Sequence, residues 1–329
     1  MSLGTRIRMT DHPYLDRIFC TDARDMHAVP GEVVQLVVTS PPYNVAKDYT
    51  DHNDSLSLDE YLALLDAVWR ECYRVLAPGG RLCVNVANTD RKPYLSLVSL
   101  IDEQLRTSGQ TWLHRGHIIW DKGASAGTST AWGSFGRSSN PTLRDVHEYI
   151  TIWSKDQLRL DGGGPTGATG NEFAAWTRSI WRPEDALKDL ERKIAGKLAD
   201  ARRREKDDAW IAESIARAVW GQAIGPGESV WEMTTETSVP HPAPFPEELP
   251  RRLLLLYTQP GDTVLDPFMG SGSTAVAAVM TGRHYVGCEV SAEYCQLAEK
   301  RILQHIEPYR ASSTDRLGEE RADYHPDPE

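Results

Sequence analysis

Within five residues, Thr39-Ser-Pro-Pro-Tyr43 combines a hydroxyl, a rigid backbone and an aromatic ring. Pro41 and Pro42 lack N–H donors and fix φ, so the neighbouring carbonyl oxygens point in set directions. The Ser40 hydroxyl can accept from or donate to a ring edge. Tyr43 can stack on the ring itself. Such a corner can hold a planar group bearing an amino substituent and aim its nitrogen at an electrophile. Attack of an exocyclic amine on a methyl sulfonium is chemistry of this kind, needing alignment more than a strong base. Taken alone, the stretch also suits a proline-rich turn at the end of a strand.

A second constellation lies at Thr263-Val-Leu-Asp-Pro-Phe-Met-Gly-Ser-Gly-Ser-Thr274. Gly270 and Gly272 allow a sharp turn and close approach of backbone to a ligand. The free N–H groups of the helix that follows would face an anionic or carboxylate-bearing part of that ligand. Neither GxxxxGK[ST] nor G-x-G-x-x-G is present, which sets aside a nucleotide-triphosphatase loop and the standard dinucleotide fingerprint. Glu289 closes the next strand, where an acid can accept both hydroxyls of a ribose. The pattern fits a nucleoside with a charged, phosphate-free tail, or a dinucleotide.

These residues need a sheet to position them. Val33 to Val38 is a short β-branched run between Pro30-Gly31 and Ser40-Pro41-Pro42, as expected of a buried parallel strand. The corner then sits at that strand's carboxyl end, where open sheets place their sites. Leu58 to Leu76 has helical apolar spacing at Leu62, Leu65, Val68, Trp69 and Cys72, and stops at Pro78-Gly79-Gly80. A strand over Arg81 to Val86, a helix over Tyr94 to Thr107, and strands at Leu113 to Trp120 and His147 to Trp153 follow. Near the C-terminus the order is a helix at Pro250 to Tyr257, a strand at Thr263 to Leu265, a helix at Gly272 to Thr281, a strand at His284 to Glu289 and a helix at Ser291 to His305. Strands alternating with helices predict a mostly parallel sheet covered on both faces. Between the halves lie a Gly/Ser/Thr/Ala-rich loop from Asp121 to Asn140, a glycine-rich stretch from Asp161 to Gly170, and a charged, helix-patterned segment from Pro183 to Trp220.

The chain has 329 residues, enough for a large core and a smaller second unit. Hydrophobic content of 40% and charged content of 25% are those of an ordinary globular protein. No secretory signal or run of eighteen apolar residues is evident, so a cytoplasmic protein is expected. A net charge of -11 excludes coating of nucleic acid by bulk electrostatics. Part of the acidity lies from Ala311 onward, whereas Lys and Arg outnumber acids between Lys122 and Arg182. A local basic face is therefore compatible with the charge, although composition alone favours a small-molecule enzyme. The five cysteines are odd in number and lack C-x-x-C spacing, which predicts neither a disulfide framework nor a zinc knuckle. Cys20, Cys83 and Cys288 fall in strand-like segments and are expected to be small buried hydrophobes.

Thr39-Ser-Pro-Pro-Tyr43-Asn44 together with Asp266-Pro-Phe-Met-Gly-Ser-Gly-Ser-Thr274 resembles the amino-methyltransferases of DNA, which make N4-methylcytosine or N6-methyladenine. The corner precedes the glycine loop, as in their circularly permuted β group. Cys20-Thr-Asp22, His117-Ile-Ile-Trp-Asp-Lys122, His147-Glu148-Tyr149, Ser179-Ile-Trp181 and His241-Pro-Ala-Pro-Phe-Pro246 resemble further family segments. The resemblance implies an α/β, Rossmann-like methyltransferase fold. Its circularly permuted, seven-stranded, mostly parallel sheet would have one antiparallel strand and a helical or loop target-recognition insertion.

The implied cofactor is S-adenosyl-L-methionine, with no metal in the chemistry. Asp22 would meet its adenine and Glu289 its ribose. His241, Ala243, Phe245 and Pro246 would line its methionine side. Thr39, Asp266, Pro267, Phe268, Gly270, Ser271, Gly272, Ser273 and Thr274 would complete the cofactor site. Ser40, Pro41, Pro42 and Tyr43 would be catalytic. Lys47, Tyr49, Trp132, Arg137 and Arg144 would contact DNA.

The implied organisation is a catalytic half over 1–154, a recognition region over 155–229, a cofactor-binding half over 230–308 and an acidic tail over 309–329. Double-stranded DNA is the implied partner, with the target base flipped from the duplex. A cognate restriction endonuclease would be a natural companion, no membrane is involved, and monomer and homodimer both remain open. Serine at position 40 resembles the N4-cytosine members; aspartate is usual there in N6-adenine members. Adenine N6, an RNA or small-molecule amine, and a catalytically silent DNA-binding subunit are the alternatives. A 5-methylcytosine enzyme is set aside, because no Pro-Cys dipeptide occurs. Ser273 stands where threonine is common, and 185–225 reads as an insertion.

Overall fold

A computed structural model describes residues 12–44, 56–88, 94–122, 138–139, 143, 145–181 and 246–305. Its elements are β1 (Arg17–Phe19), β2 (Val34–Thr39), α1 (Leu58–Val75), β3 (Leu76–Val86), α2 (Leu97–Thr107), β4 (Trp112–Asp121), β5 (His147–Lys155), α3 (Gly170–Trp176), β6 (Ile180–Trp181), α4 (Glu248–Tyr257), β7 (Thr263–Asp266), α5 (Ser273–Met280) and β8 (His284–Cys288). A last helix, α6, spans 292–305.

Local sequence explains the main elements. Helix α1 starts at a reciprocal capping box between Ser57 and Glu60 and buries Tyr61, Leu65, Val68, Trp69 and Cys72 along one stripe. Strand β2 is almost entirely buried, because helices cover both sheet faces. Helices α1 and α2 pack Leu65, Trp69, Ile101 and Leu105 into the core on one side. On the other side α4, α5 and α6 contribute Leu253, Ala277, Ala298 and Ile302 to a second core. Each large aliphatic side chain among these, fully buried, is worth about 1.5–3 kcal/mol of transfer free energy.

The sheet order is β1-β8-β7-β2-β3-β5-β4-β6. All neighbours run parallel except β5, which is antiparallel to both β3 and β4. The expected single antiparallel strand is thus β5. Among the described residues seven strands form the expected sheet, and the two-residue β6 adds an eighth at the edge, pairing Ile180 and Trp181 with Ile119 and Trp120. From β2 the chain proceeds to β3 on one side, whereas β7 leads to β8 on the other. The β2/β7 junction is therefore the topological switch point, where a crevice opens beyond the strands' carboxyl ends. Strand β7 comes long after β2 in sequence yet lies beside it, the arrangement expected of a permuted sheet.

Cys83 and Cys288 are buried as expected, but Cys20 is exposed and forms a disulfide with Cys295, their Cα atoms 6.3 Å apart. The expectation of unpaired cysteines is corrected there. The pairing spans 275 positions, and it arises because β1 lies beside β8, which leads into α6. Among the described residues no helix is long and apolar enough to cross a membrane.

Candidate active site

The corner leaves the carboxyl end of β2 and meets the ends of β3 and β5. Ser40 Oγ and Tyr43 Oη are 3.0 Å apart. Tyr43 Oη donates to Glu148 Oε2 at 3.0 Å. Asn85 Nδ2 donates to that same carboxylate oxygen at 2.6 Å and to Tyr43 Oη at 3.1 Å, with Ser40 Oγ at 3.4 Å. Lys122 Nζ donates to the other oxygen of Glu148, so an ion pair between a half-buried lysine and a buried carboxylate backs the network. Burial first, then the Glu148 charge, pushes the Tyr43 phenol well above its ordinary range, so it remains a donor near neutral pH. From below, Tyr61 Oη donates to the Pro42 carbonyl at 2.7 Å, tying the corner to α1. Asn44, at φ 54, ends the turn by donating to Leu56 O at 2.8 Å.

Asp266 joins this corner to the glycine turn. It is fully buried at the end of β7 and accepts from Thr39 Oγ1 at 2.8 Å, Thr274 Oγ1 at 2.7 Å and Phe268 N at 3.0 Å. Its carboxylate is thus committed to protein donors, and Thr39 is equally buried. Burial raises Asp266 to about 6 although the two threonine hydroxyls pull the other way. This lies above the ~3.9 of an unfolded aspartate. Its contribution to folding is therefore fully present below about pH 4 and is lost as pH rises through about 6. Asp266→Asn is uncharged throughout. Relative to the parent chain, its stability should rise across that interval by up to about 3 kcal/mol, at ~1.4 kcal/mol per pKa unit. Denaturant titrations at pH 4.5 and 7 check this; a stability difference independent of pH would contradict it.

The turn takes positive φ at Gly270 (51°) and Gly272 (89°). A Cβ at Gly272 would lie 2.8 Å from Ala298 Cβ of α6. Gly272 is therefore required by helix packing and backbone conformation, in addition to any approach of a ligand. Gly272→Ala should cost about 2 kcal/mol or more and lower the melting temperature by several degrees. An unchanged melting temperature would refute this packing role. Ser271 is buried and held by Arg301 of α6, which donates to its carbonyl and hydroxyl at 2.9 Å each. Ser273 and Thr274 are buried at the start of α5, Pro267 is buried, Phe268 packs against the first core, and Pro246 is buried ahead of α4.

Asp22 and Glu289 lie beyond the carboxyl ends of the neighbouring strands β1 and β8. Both are partly exposed. Glu289 accepts from Gly270 N at 2.8 Å and Ser291 N at 2.9 Å, one bond to each oxygen. Each oxygen keeps acceptor capacity for a further donor. Asp22 is paired with Arg24 at 2.6 Å. The two acids and the glycine turn thus edge the β1-β8-β7 side of the crevice, and Ser40 and Tyr43 edge the β2-β3-β5 side.

His241, Ala243, Phe245, Lys47, Tyr49, Trp132, Arg137 and Arg144 lie outside the described residues, as do the insertion over 185–225 and the acidic tail. Sequence reasoning placed Glu148 and Lys122 only in framework segments and did not single out Asn85 or Tyr61. A usable signal existed. Asn85 is a polar residue between Val84 and Val86, and Glu148 opens the strand-like run Tyr149-Ile-Thr-Ile-Trp153.

Comparison with known proteins agrees with this geometry. The family model described as DNA methylase, N6_N4 type, matches residues 34–300. The type II methyltransferase M.MjaI of Methanocaldococcus jannaschii is 28% identical over 317 residues, covering 87% of this chain and 90% of the relative. The DNA adenine methyltransferase YhdJ of Escherichia coli is 25% identical, covering 84% of this chain and 79% of its own. Among solved structures, a DNA modification methylase of Thermus thermophilus complexed with S-adenosyl-L-methionine superimposes with a TM-score of 0.58. It has 26% identity and covers 88% of this chain and 95% of its own. The fold is thus the Rossmann-like methyltransferase fold in its permuted form, and the chain belongs to the N6_N4 DNA methylase family.

Proposed function

We propose that this DNA methyltransferase, which uses S-adenosyl-L-methionine, modifies the N4 amino group of a cytosine flipped from double-stranded DNA. The observation that carries the reading is Ser40 in the corner, held by Tyr43 and Asn85, which both donate to Glu148. A serine hydroxyl can accept from the amine and donate to N3 of cytosine; an aspartate in its place offers acceptance only.

The residues present fit the cofactor. S-adenosyl-L-methionine has a donor-bearing adenine, ribose hydroxyls and a cationic tail without phosphate. Asp22 and Glu289 offer acceptors beyond adjacent strands, and the turn between Gly270 and Gly272 carries no phosphate-binding lysine. When bound, it supplies a methyl group already activated on a sulfonium. Ser40 would accept from one amine hydrogen and align the nitrogen lone pair. The Pro41 backbone carbonyl would take up the other amine hydrogen, the Pro42 carbonyl being held by Tyr61. The Tyr43 ring would stack on the base while its hydroxyl stays anchored to Glu148. Alignment, with no covalent enzyme intermediate, provides the acceleration.

Region 155–229, with the loop over 121–140, would choose the duplex sequence, and Lys47, Tyr49, Trp132, Arg137 and Arg144 would contact it. Pairing with a cognate restriction endonuclease in a restriction-modification system also belongs to this proposal. A second reading, adenine N6 on the same scaffold, is favoured by the likeness to YhdJ.

Single-molecule sequencing of DNA from methylation-deficient cells expressing the chain tests the choice. One recurring sequence with a modified cytosine is expected; a modified adenine establishes the second reading instead. Calorimetry should detect S-adenosyl-L-methionine binding without DNA and with a chelator present. A protein that binds NAD and not S-adenosyl-L-methionine would refute the cofactor assignment.

A further inference from the structure

His114 and His117 stand three residues apart on β4, a spacing that puts side chains on opposite faces of a regular strand. A bulge changes this. His114 lies opposite Trp153 and Gly116 opposite Ile152, so Arg115 is an extra residue in β4. Gly116 takes φ 116° to allow it. The two imidazoles then lie on one face, with ring centroids 4.7 Å apart.

Helix α2 brings Asp102 to that face, with Oδ2 2.7 Å from His117 Nε2. The other carboxylate oxygen accepts from Thr151 Oγ1 at 2.6 Å, and Thr151 is the cross-strand partner of His117. Thr151 Oγ1 in turn accepts from Trp153 Nε1 at 2.8 Å, and the Trp153 ring lies against His114 at 4.5 Å. One ligand atom from each of Asp102, His114 and His117 lies within 4.8 Å of the others.

We propose that Asp102, His114 and His117 form a three-ligand site for a divalent transition cation of the zinc class, with water completing the coordination, that pins α2 to the β4–β5 hairpin. Two imidazole nitrogens and one carboxylate oxygen suit zinc and its neighbours; calcium and magnesium call for an all-oxygen set. Thr151 orients the carboxylate as an outer-shell partner does in zinc sites. Tetrahedral bonds of about 2.0–2.2 Å place ligand atoms roughly 3.3–3.5 Å apart. The ligand atoms, within 4.8 Å of one another, would need to draw together by about an ångström, and the exposed His114 is the side chain with room to do so. A helix-anchoring Asp102–His117–Thr151 chain alone would need no second imidazole on that face. Strands β2, β3 and β5 separate β4 from β7, so the site stands apart from the glycine turn.

The test uses the full chain, stripped with chelator and titrated with Zn2+ by calorimetry and with Co2+ by visible absorption. Expected are a single tight equivalent of Zn2+, a Co2+ spectrum of low coordination number, and a higher melting temperature with Zn2+. His114→Ala and Asp102→Asn should each weaken binding at least about tenfold, and His114→Ala should keep the parent affinity for S-adenosyl-L-methionine. Because His114 is exposed, its replacement carries the test even if Asp102→Asn misfolds. Absence of a tight equivalent, or binding that His114→Ala leaves unchanged, would overturn the proposal.

Discussion

Tyr43→Ala is expected to slow single-turnover methylation about a hundredfold or more while S-adenosyl-L-methionine still binds. Two losses combine. The base would lose a stacking partner worth about 1–3 kcal/mol. Ser40 and Glu148 would lose the hydroxyl they share, so the hydroxyl meant to orient the amine is no longer fixed. Together these approach the ~2.7 kcal/mol of a hundredfold change. Tyr43→Phe keeps the ring and removes only the hydroxyl, and should cost about tenfold. Ser40→Ala deletes one hydrogen bond to the target base and should fall between tenfold and a hundredfold, with cofactor affinity nearly unchanged. Rapid-quench methylation of a duplex carrying the mapped site, with cofactor binding measured in parallel, separates these cases. Parent-like rates in both Tyr43→Ala and Ser40→Ala would remove the corner from the mechanism, as would a trapped cysteine–base adduct.

Glu148→Ala should be the most damaging change to stability at the site, at about 3–5 kcal/mol. Its carboxylate accepts from Tyr43, Asn85 and Lys122, and only 8% of its side chain is exposed. Removing it takes away the one carboxylate that Lys122, Tyr43 and Asn85 share. Glu148→Gln keeps an acceptor oxygen but not the charge, and should recover part of the stability. Methylation should fall in both variants, because Tyr43 and Ser40 lose their anchor. Denaturant unfolding and single-turnover rates on the same preparations test this. A Glu148→Ala protein as stable as its parent would show that the network contributes nothing to folding.

What the sequence made legible was local. The corner, the glycine turn and Glu289 each announce themselves within a few residues, through prolines that fix φ, glycines that reverse it, and an acid ending a strand. The alternation of elements pointed to the parallel sheet and placed both motifs at strand ends. What stayed hidden depends on register between distant strands. Asn85 and Glu148 meet because Val86 pairs with Tyr149 and Asn85 with Ile150 in the antiparallel β3–β5 ladder. No local pattern states that pairing. The bulge at Arg115 likewise hid the shared face of His114 and His117, since simple alternation puts them on opposite sides. Cys20 and Cys295 were read separately because their proximity follows from β1 pairing with β8. Gly272 was singled out for its backbone freedom, but the clash with Ala298 depends on where α6 returns. The two-residue β6 is too short to show a period of its own.

Methyl transfer to the exocyclic amine of cytosine, as proposed, is tested most directly by the identity of the product. Purified protein, methyl-labelled S-adenosyl-L-methionine and duplex DNA containing the mapped site would be incubated. The DNA would then be digested to nucleosides and separated by chromatography with mass detection. Label is expected in N4-methylcytosine alone. Label in N6-methyladenine would contradict the cytosine assignment while leaving the fold and cofactor site intact. Label in 5-methylcytosine, or in no nucleoside at all, would contradict the mechanism assigned to Ser40 and Tyr43.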